Sequence, residues 1–111
     1  MIDLVFSTSA ALLEGVVLAV IARDAAGAYG YSITREVTAA LAVSDSTLYP
    51  VLRRLQKEEC LDVYDSECNG RLRRYYRLTE KGAAQLALSR LEWRRYSQKI
   101  NGLFEERSSE K

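Results

Sequence analysis

Between residues 44 and 59 the chain reads SDSTLYPVLRRLQKEE, and two chemistries are interleaved there at helical spacing. Leu48, Leu52 and Leu55 recur at i, i+4 and i+7 and share one face of a helix. Ser46, Tyr49, Pro50, Arg53 and Lys57 fall on the other side. Hydroxyls, a phenol, a guanidinium and an ammonium on one exposed edge are the groups that hydrogen-bond phosphate oxygens and base edges. A solvated helix face carries the same residue types, so this stretch alone leaves both readings open. The same chemistry is concentrated again further on, in Arg71, Arg73, Arg74 and Arg77. Along the chain no acidic residue interrupts that run, which is more charge than an edge strand needs to resist aggregation. Phosphate binding is the expectation for it.

Other chemistry is sparse. The 111 residues include no histidine, the commonest general base and metal ligand, and only two cysteines. No nucleophile–base pair, glycine-rich phosphate loop or metal-ligand spacing marks an enzyme, and no cofactor is expected. Cys60 and Cys68 read as two small buried or half-buried residues, reduced in a cytosolic chain. Sixteen Lys and Arg against fifteen Asp and Glu leave a net charge of +1, without the strongly basic balance of an indiscriminate nucleic-acid binder. The distribution matters more than the sum. Glu58, Glu59, Asp62, Asp65 and Glu67 precede the arginine run, and Glu105, Glu106 and Glu110 lie near the end. A basic face opposed by acidic ones gives a neutral total and still binds phosphates.

The elements that position these groups follow from periodicity and punctuation. Residues 4–22 are apolar nearly all round, with Glu14 the only charge. Acidic Asp3, the absence of a preceding Lys or Arg, and Ser7, Thr8, Ser9 and Glu14 within the run argue against a leader or a membrane span. A buried helix in a cytoplasmic protein is expected. Residues 24–30 carry two glycines and read as a loop. Ser32 is the expected cap of a second helix ending near Ala42, with Ile33, Val37, Ala40 and Leu41 on one face. Only Ala42 and Val43 separate it from the helix of 44–59, a helix-turn-helix spacing. Pro50 fits that third helix in two ways. Either Thr47 is the cap and Pro50 lies in the first turn, or the helix starts at Ser44 with Pro50 inside it.

After Glu59 the period changes from 3.6 to 2, giving two strands around Asn69-Gly70, the strongest short hairpin signal. An exposed hairpin bearing the arginines is a wing. A last helix opens at Thr79-Glu80-Lys81-Gly82 and runs to about Phe104. On it, Ala84, Leu88 and Leu91 are expected to face the chain's own core. Leu86, Trp93 and Ile100 recur every seven residues, with Tyr96 and Leu103 beside them, as a dimerisation seam of the coiled-coil kind. The expected fold is therefore mainly α with a small β hairpin: a winged helix-turn-helix over residues 1–80, a dimerisation helix over 81–106, and a disordered tail at 107–111.

With these elements in place the sequence resembles the PadR-like winged-helix transcriptional regulators, in their compact branch. The residues that carry the resemblance are Tyr29-Gly30-Tyr31-Ser32-Ile33, the block from Ser46 to Leu55, and Arg74-Tyr75-Tyr76-Arg77-Leu78-Thr79-Glu80-Lys81-Gly82. The resemblance implies a homodimeric repressor on double-stranded operator DNA, with the third helix of each subunit in successive major grooves. It implies groove contacts from Ser46, Thr47, Tyr49, Pro50 and Arg53, wing contacts from Arg71, Arg73 and Arg74, and phosphate contacts from Tyr31 and Arg35. It also implies that Trp93 either stacks on a planar aromatic effector at the dimer centre or only anchors the seam. The chain departs from the family pattern at Cys60, where a glycine of positive φ usually ends the third helix, and at Ser44-Asp45-Ser46, in place of the more usual turn of small or glycine residues. A protein-interaction module that uses the same surface without reading DNA is the alternative function.

Overall fold

The computed structural model describes residues 6–106. The tail expected at 107–111 and the start of the expected first helix, Leu4 and Val5, lie outside the described residues. Helix α1 spans Ala10–Ala22, beginning where the Ser9 hydroxyl accepts from the Leu12 amide at 3.1 Å. That cap sets the boundary, several residues later than the apolar run implied. The helix packs against all three other helices and a strand, which accounts for its apolar surface all round.

Residues 24–30 are not only a loop. Ala28–Tyr29 form a short strand, β1, whose partner lies far along the chain, so no local periodicity announces it. Ser32 is not the cap of the second helix either. Helix α2 spans Gly30–Leu41 directly after the strand, with extended Tyr29 at the cap position and no side-chain cap bond. It ends at Ala42 in the left-handed conformation, φ 57°.

Helix α3 spans Asp45–Lys57 and takes the second of the two starts: the Ser44 hydroxyl accepts from the Thr47 amide at 3.3 Å. Pro50 therefore lies inside the helix, where it has no N–H to offer the Ser46 carbonyl. At the other end the Cys60 amide donates to the Leu55 carbonyl at 2.8 Å and the Glu59 amide to Gln56 at 3.0 Å. These two bonds form a Schellman cap. The left-handed residue in it is Glu59, φ 66°, and not Cys60, which is buried in the core.

Strands β2, Leu61–Cys68, and β3, Arg71–Leu78, pair antiparallel from Cys68↔Arg71 to Leu61↔Leu78. The tight turn between them holds Asn69 at φ 53° and Gly70 at φ 76°, the positive pair a two-residue hairpin requires. With β1 added, the sheet has three strands in the order β1-β3-β2.

Helix α4, Glu80–Phe104, is fastened at its start. Thr79 accepts from the Gly82 amide at 3.0 Å while its hydroxyl donates to the Glu59 carbonyl at 2.7 Å. A Cβ at Gly82 would lie 2.1 Å from the Cys60 carbonyl oxygen, so only glycine fits this crossing. The end of α3, the end of β3 and the start of α4 thus meet in one knot beneath the wing.

A single core joins Leu13, Val17, Leu18 and Ile21 of α1 to Ile33, Val37, the leucines of α3, Leu61 and Tyr76. Leu86 of α4, expected on the dimerisation seam, also belongs to it, at 5% exposure. Leu88 and Leu91, expected to face the core, are 51% and 37% exposed. The reason is angular. At about 100° per residue Trp93 lies almost beneath Leu86, so one stripe begins in the chain's own core and leaves it as the helix overhangs, while Leu88 and Leu91 swing outward. The overhang also explains a radius of gyration of 17.2 Å, where a compact chain of this length has about 13 Å. None of the described helices is long and apolar enough to cross a membrane.

Candidate nucleic-acid interface

Leu48, Val51, Leu52 and Leu55 anchor α3 in the core, and that anchoring aims its other edge at solvent. Ser46, Thr47, Tyr49, Pro50 and Arg53 are all exposed on that edge. The hydroxyls at its start form a cluster, with Ser44 Oγ 2.9 Å from Ser46 Oγ and 3.0 Å from Thr47 Oγ1. Asp45 occupies the first turn, where a carboxylate favours the helix dipole. No carboxylate pairs with Arg53 among the described residues. Its neighbour Arg54 is tied instead to Glu14 of α1, Nε to Oε2 at 2.8 Å.

Tyr76 of β3 is buried in the same core as the α3 leucines. Burial pushes its phenol pKa up; Arg74 pulls it down, Tyr49 pushes it further up, and Arg53 adds a second pull downward. One hydroxyl thus feels a groove candidate, a wing candidate and the phenol between them. Strand alternation separates the wing arginines, however. Arg74 shares a face with Tyr76 and Leu78 toward the helices, whereas Arg71, Arg73 and Arg77 share the outer face with Tyr75. The Asn-Gly turn brings Arg74 opposite Asp65, at 3.4 Å, and Arg77 opposite Asp62, at 3.9 Å. The run without acids along β3 is therefore countered across the hairpin. Arg71 at the tip forms no ion pair among the described residues.

The outer face carries a feature that residue counting did not assemble. Tyr31, Tyr29, Tyr75 and Tyr64 stand in a row with ring centroids 6.0, 5.8 and 5.6 Å apart, the last pair stacked at 15°. Guanidinium groups cover this row: Arg35 over Tyr31 at 5.6 Å, Arg73 over Tyr29 at 4.7 Å and Arg77 over Tyr64 at 5.3 Å. Arg35 also donates to the Tyr31 hydroxyl at 2.9 Å, and Tyr64 donates to the Ala26 carbonyl at 2.6 Å. Tyr31 and Arg35, expected at phosphates, are thus coupled to Arg73 of the wing through tyrosines. The hairpin register brings Tyr64 opposite Tyr75, and Tyr29 joins them only once β1 pairs with β3.

Helices α1 and α4 enclose a groove of about 420 Å³, walled by Leu12, Leu88, Trp93 and Tyr96 and edged by Glu14 and Glu92. Trp93 is 49% exposed and lies 6.4 Å from Tyr96, ring to ring. Tyr96 and Leu103 are exposed and Ile100 half-buried along the overhang. Among the described residues no three His, Cys, Asp or Glu side chains are grouped to hold a metal ion. Cys60 and Cys68 are free thiols at the two ends of β2, the first buried and the second half-buried.

A three-helix core with a helix-turn-helix and a β wing defines the winged-helix class. Comparison with known proteins narrows it. Residues 17–88 match the model of the transcriptional regulator PadR-like family. A solved protein of Streptococcus mutans is 35% identical, with 95% of this chain and 97% of that one covered and a TM-score of 0.85. A PadR-like transcriptional regulator of Bacillus cereus is 30% identical, over 86% of this chain and 94% of that one, with a TM-score of 0.77. An uncharacterised protein of Lysinibacillus sphaericus is 36% identical over 70 residues, 59% of this chain, and the chain spans 64% of that relative's length. The chain belongs to the PadR-like family of transcriptional regulators.

Proposed function

We propose that the protein is a cytoplasmic homodimer that reads operator DNA sequence-specifically and represses transcription. The observation that carries this is the edge of α3: Ser46, Thr47, Tyr49, Pro50 and Arg53 are all exposed on a helix whose other face is held in the core by Leu48, Val51, Leu52 and Leu55. Ser46, Thr47, Tyr49, Pro50 and Arg53 enter the major groove, where hydroxyl and guanidinium groups discriminate bases. Arg71, Arg73 and Arg74, with Tyr31 and Arg35, follow the phosphates. Residues 1–80 do this work. The overhang of α4 supplies the second copy through Trp93, Tyr96, Ile100 and Leu103, so that two α3 helices reach half-sites about one DNA turn apart. Its exposed apolar stripe supports that pairing. The groove beside Trp93 receives a planar aromatic effector that relieves repression.

Gel-shift titration against the gene's own promoter region tests this reading. Sequence-dependent binding that weakens steeply with salt is the expected result. Equally weak binding to every duplex refutes it. The Asp65–Arg74 and Asp62–Arg77 pairings favour one second reading, a protein-docking module whose wing is already neutralised. Arg73→Ala with Arg74→Ala separates the two. Loss of DNA affinity supports the repressor, and unchanged DNA affinity with loss of a bound protein supports the module.

A further inference from the structure

We propose that Glu14 links the α1–α4 groove to the recognition helix, and that the ligand it answers to is an aromatic cation. This rests on reading the groove as the effector site. Glu14 serves two places at once: its carboxylate lines the groove and holds Arg54 Nε of α3 at 2.8 Å. Its side chain is only 21% exposed, so α1 and the pocket wall limit what else can reach it. Arg54 immediately follows Arg53, proposed above to enter the DNA major groove, on a helix whose position fixes Tyr49 one turn earlier. There is little slack at this point of the fold. A Cβ on the next residue, Gly15, would lie 2.8 Å from Ser89 Cβ of α4.

The charge of the lining selects the ligand. Glu14 and Glu92 are its charged members, with no Lys or Arg among the residues that line it. Glu92 is exposed and pairs with Arg95 at a loose 3.5 Å. Trp93 and Tyr96 offer ring faces, which attract cations. A neutral ring fills such a groove without touching the Glu14–Arg54 pair. A cation at Glu14 competes with the guanidinium for one carboxylate and removes the ion pair that ties α3 to α1. Linkage makes the effect reciprocal: if the ligand loosens the pair, Arg54 weakens the ligand by the same factor.

Calorimetric titration of the whole protein with N-methylquinolinium and with neutral quinoline, in the absence of DNA, tests the competition. The cation is expected to bind more tightly than quinoline. Arg54→Gln should tighten the cation about three- to five-fold, the yield of freeing a part-exposed ion pair, and leave quinoline unchanged. Arg54→Lys, which keeps the charge but not the Nε donor, should fall between, and melting curves on both variants report that the fold persists. Glu14→Gln should abolish the preference for the cation. With operator DNA, the cation should weaken binding by the wild-type protein and not by Glu14→Gln. Cation affinity unchanged in both Arg54 variants, or no preference for the cation in the wild type, overturns the proposal and leaves the DNA-binding reading standing. A wild type that binds no operator refutes that reading, while the calorimetric result still decides the competition at Glu14.

Discussion

Replacing Asp65 by asparagine should strengthen DNA binding, an outcome that a wing playing no part in binding does not produce. Asp65 is paired with Arg74 across the hairpin and its carboxylate lies 3.4 Å from Arg74 Nε, with both side chains largely in solvent. A pair this exposed is worth about 0.2–1 kcal/mol, so removing the acid releases Arg74 at little cost to the fold. On DNA the same change removes a negative charge from the phosphate side. At about 10 Å in water each charge–phosphate repulsion is about 0.4 kcal/mol, and salt screens roughly two-thirds of it. With about two or three phosphates within that range of the proposed wing contact, the two effects together come to about 0.5–1 kcal/mol per subunit. In a dimer the gain doubles, to about a five- to thirty-fold rise in affinity.

Anisotropy titration of an operator duplex between 50 and 200 mM salt is the suitable assay. If Arg74 of each subunit gains a phosphate, the slope of log K against log salt steepens by about 1.8. The double variant Asp65→Asn with Arg74→Ala should show a smaller gain over Arg74→Ala alone, because only the relief of the acid's own repulsion is left once the arginine is gone. An unchanged or weaker affinity for Asp65→Asn, with an unchanged melting temperature, refutes the placement of Arg74 at the backbone.

Three further outcomes follow from particular residues. Glu59 holds a left-handed φ of 66° in the α3 cap, so Glu59→Gly should raise stability by about 0.5–1 kcal/mol in urea unfolding, the relief of side-chain strain less glycine's entropy. Tyr29 supports Arg73 through its ring and not its hydroxyl, so Tyr29→Phe should leave DNA affinity unchanged and Tyr29→Leu should lower it by about 0.5–1 kcal/mol per subunit, read by anisotropy. Burial raises the pKa of the Cys60 thiol, with Lys81 opposing it and Glu58 and Glu14 adding to it. The folded chain therefore keeps that proton longer than the unfolded one, and the corresponding stability is intact below pH 9 and lost as pH rises through the folded pKa. Tyr76, also raised, adds a second loss above pH 10, and urea midpoints from pH 7 to 11 should be flat and then fall in that order.

Most of the fold was legible because its signals are local. The Leu48, Leu52 and Leu55 stripe, the Asn-Gly turn and the Thr79 cap each act within a few residues. What stayed hidden depends on distant partners. β1 is two residues long and exists only as a neighbour of Tyr75 and Tyr76, so neither the third strand nor the addition of Tyr29 and Tyr31 to the hairpin's Tyr64–Tyr75 pair has a periodicity to read. The left-handed cap was assigned one residue late, because the sequence offers Glu59 and Cys60 alike without a glycine, and burial of Cys60 is what decides between them. The facing acids are a different case. A two-residue turn at Asn69-Gly70 dictates that residue 65 pairs with residue 74 and residue 62 with residue 77. Reading charge along β3 without folding the hairpin made the wing look more basic than it is.

That partial neutralisation bears on how the proposed repressor would be released. With a net charge of +1 and two of the wing arginines facing carboxylates, non-specific attraction to DNA is small. Under the proposed function, affinity then rests on base contacts from α3 and on both half-sites being met at once, so small displacements of α3 matter. Each subunit's α3 is tied to α1 by Arg54 and Glu14, and α1 forms one wall of the groove at the proposed dimer seam. A strongly basic wing would hold DNA through such a displacement, since phosphate contacts tolerate sliding. A weakly basic one does not. A ligand that loosens α3 by about 1 kcal/mol in each of two subunits lowers DNA affinity roughly thirty-fold, which is within the range of allosteric coupling. On this view the acids of the wing tune the protein to respond to a ligand of modest affinity, and Asp65→Asn should make the repressor harder to release as well as tighter on DNA.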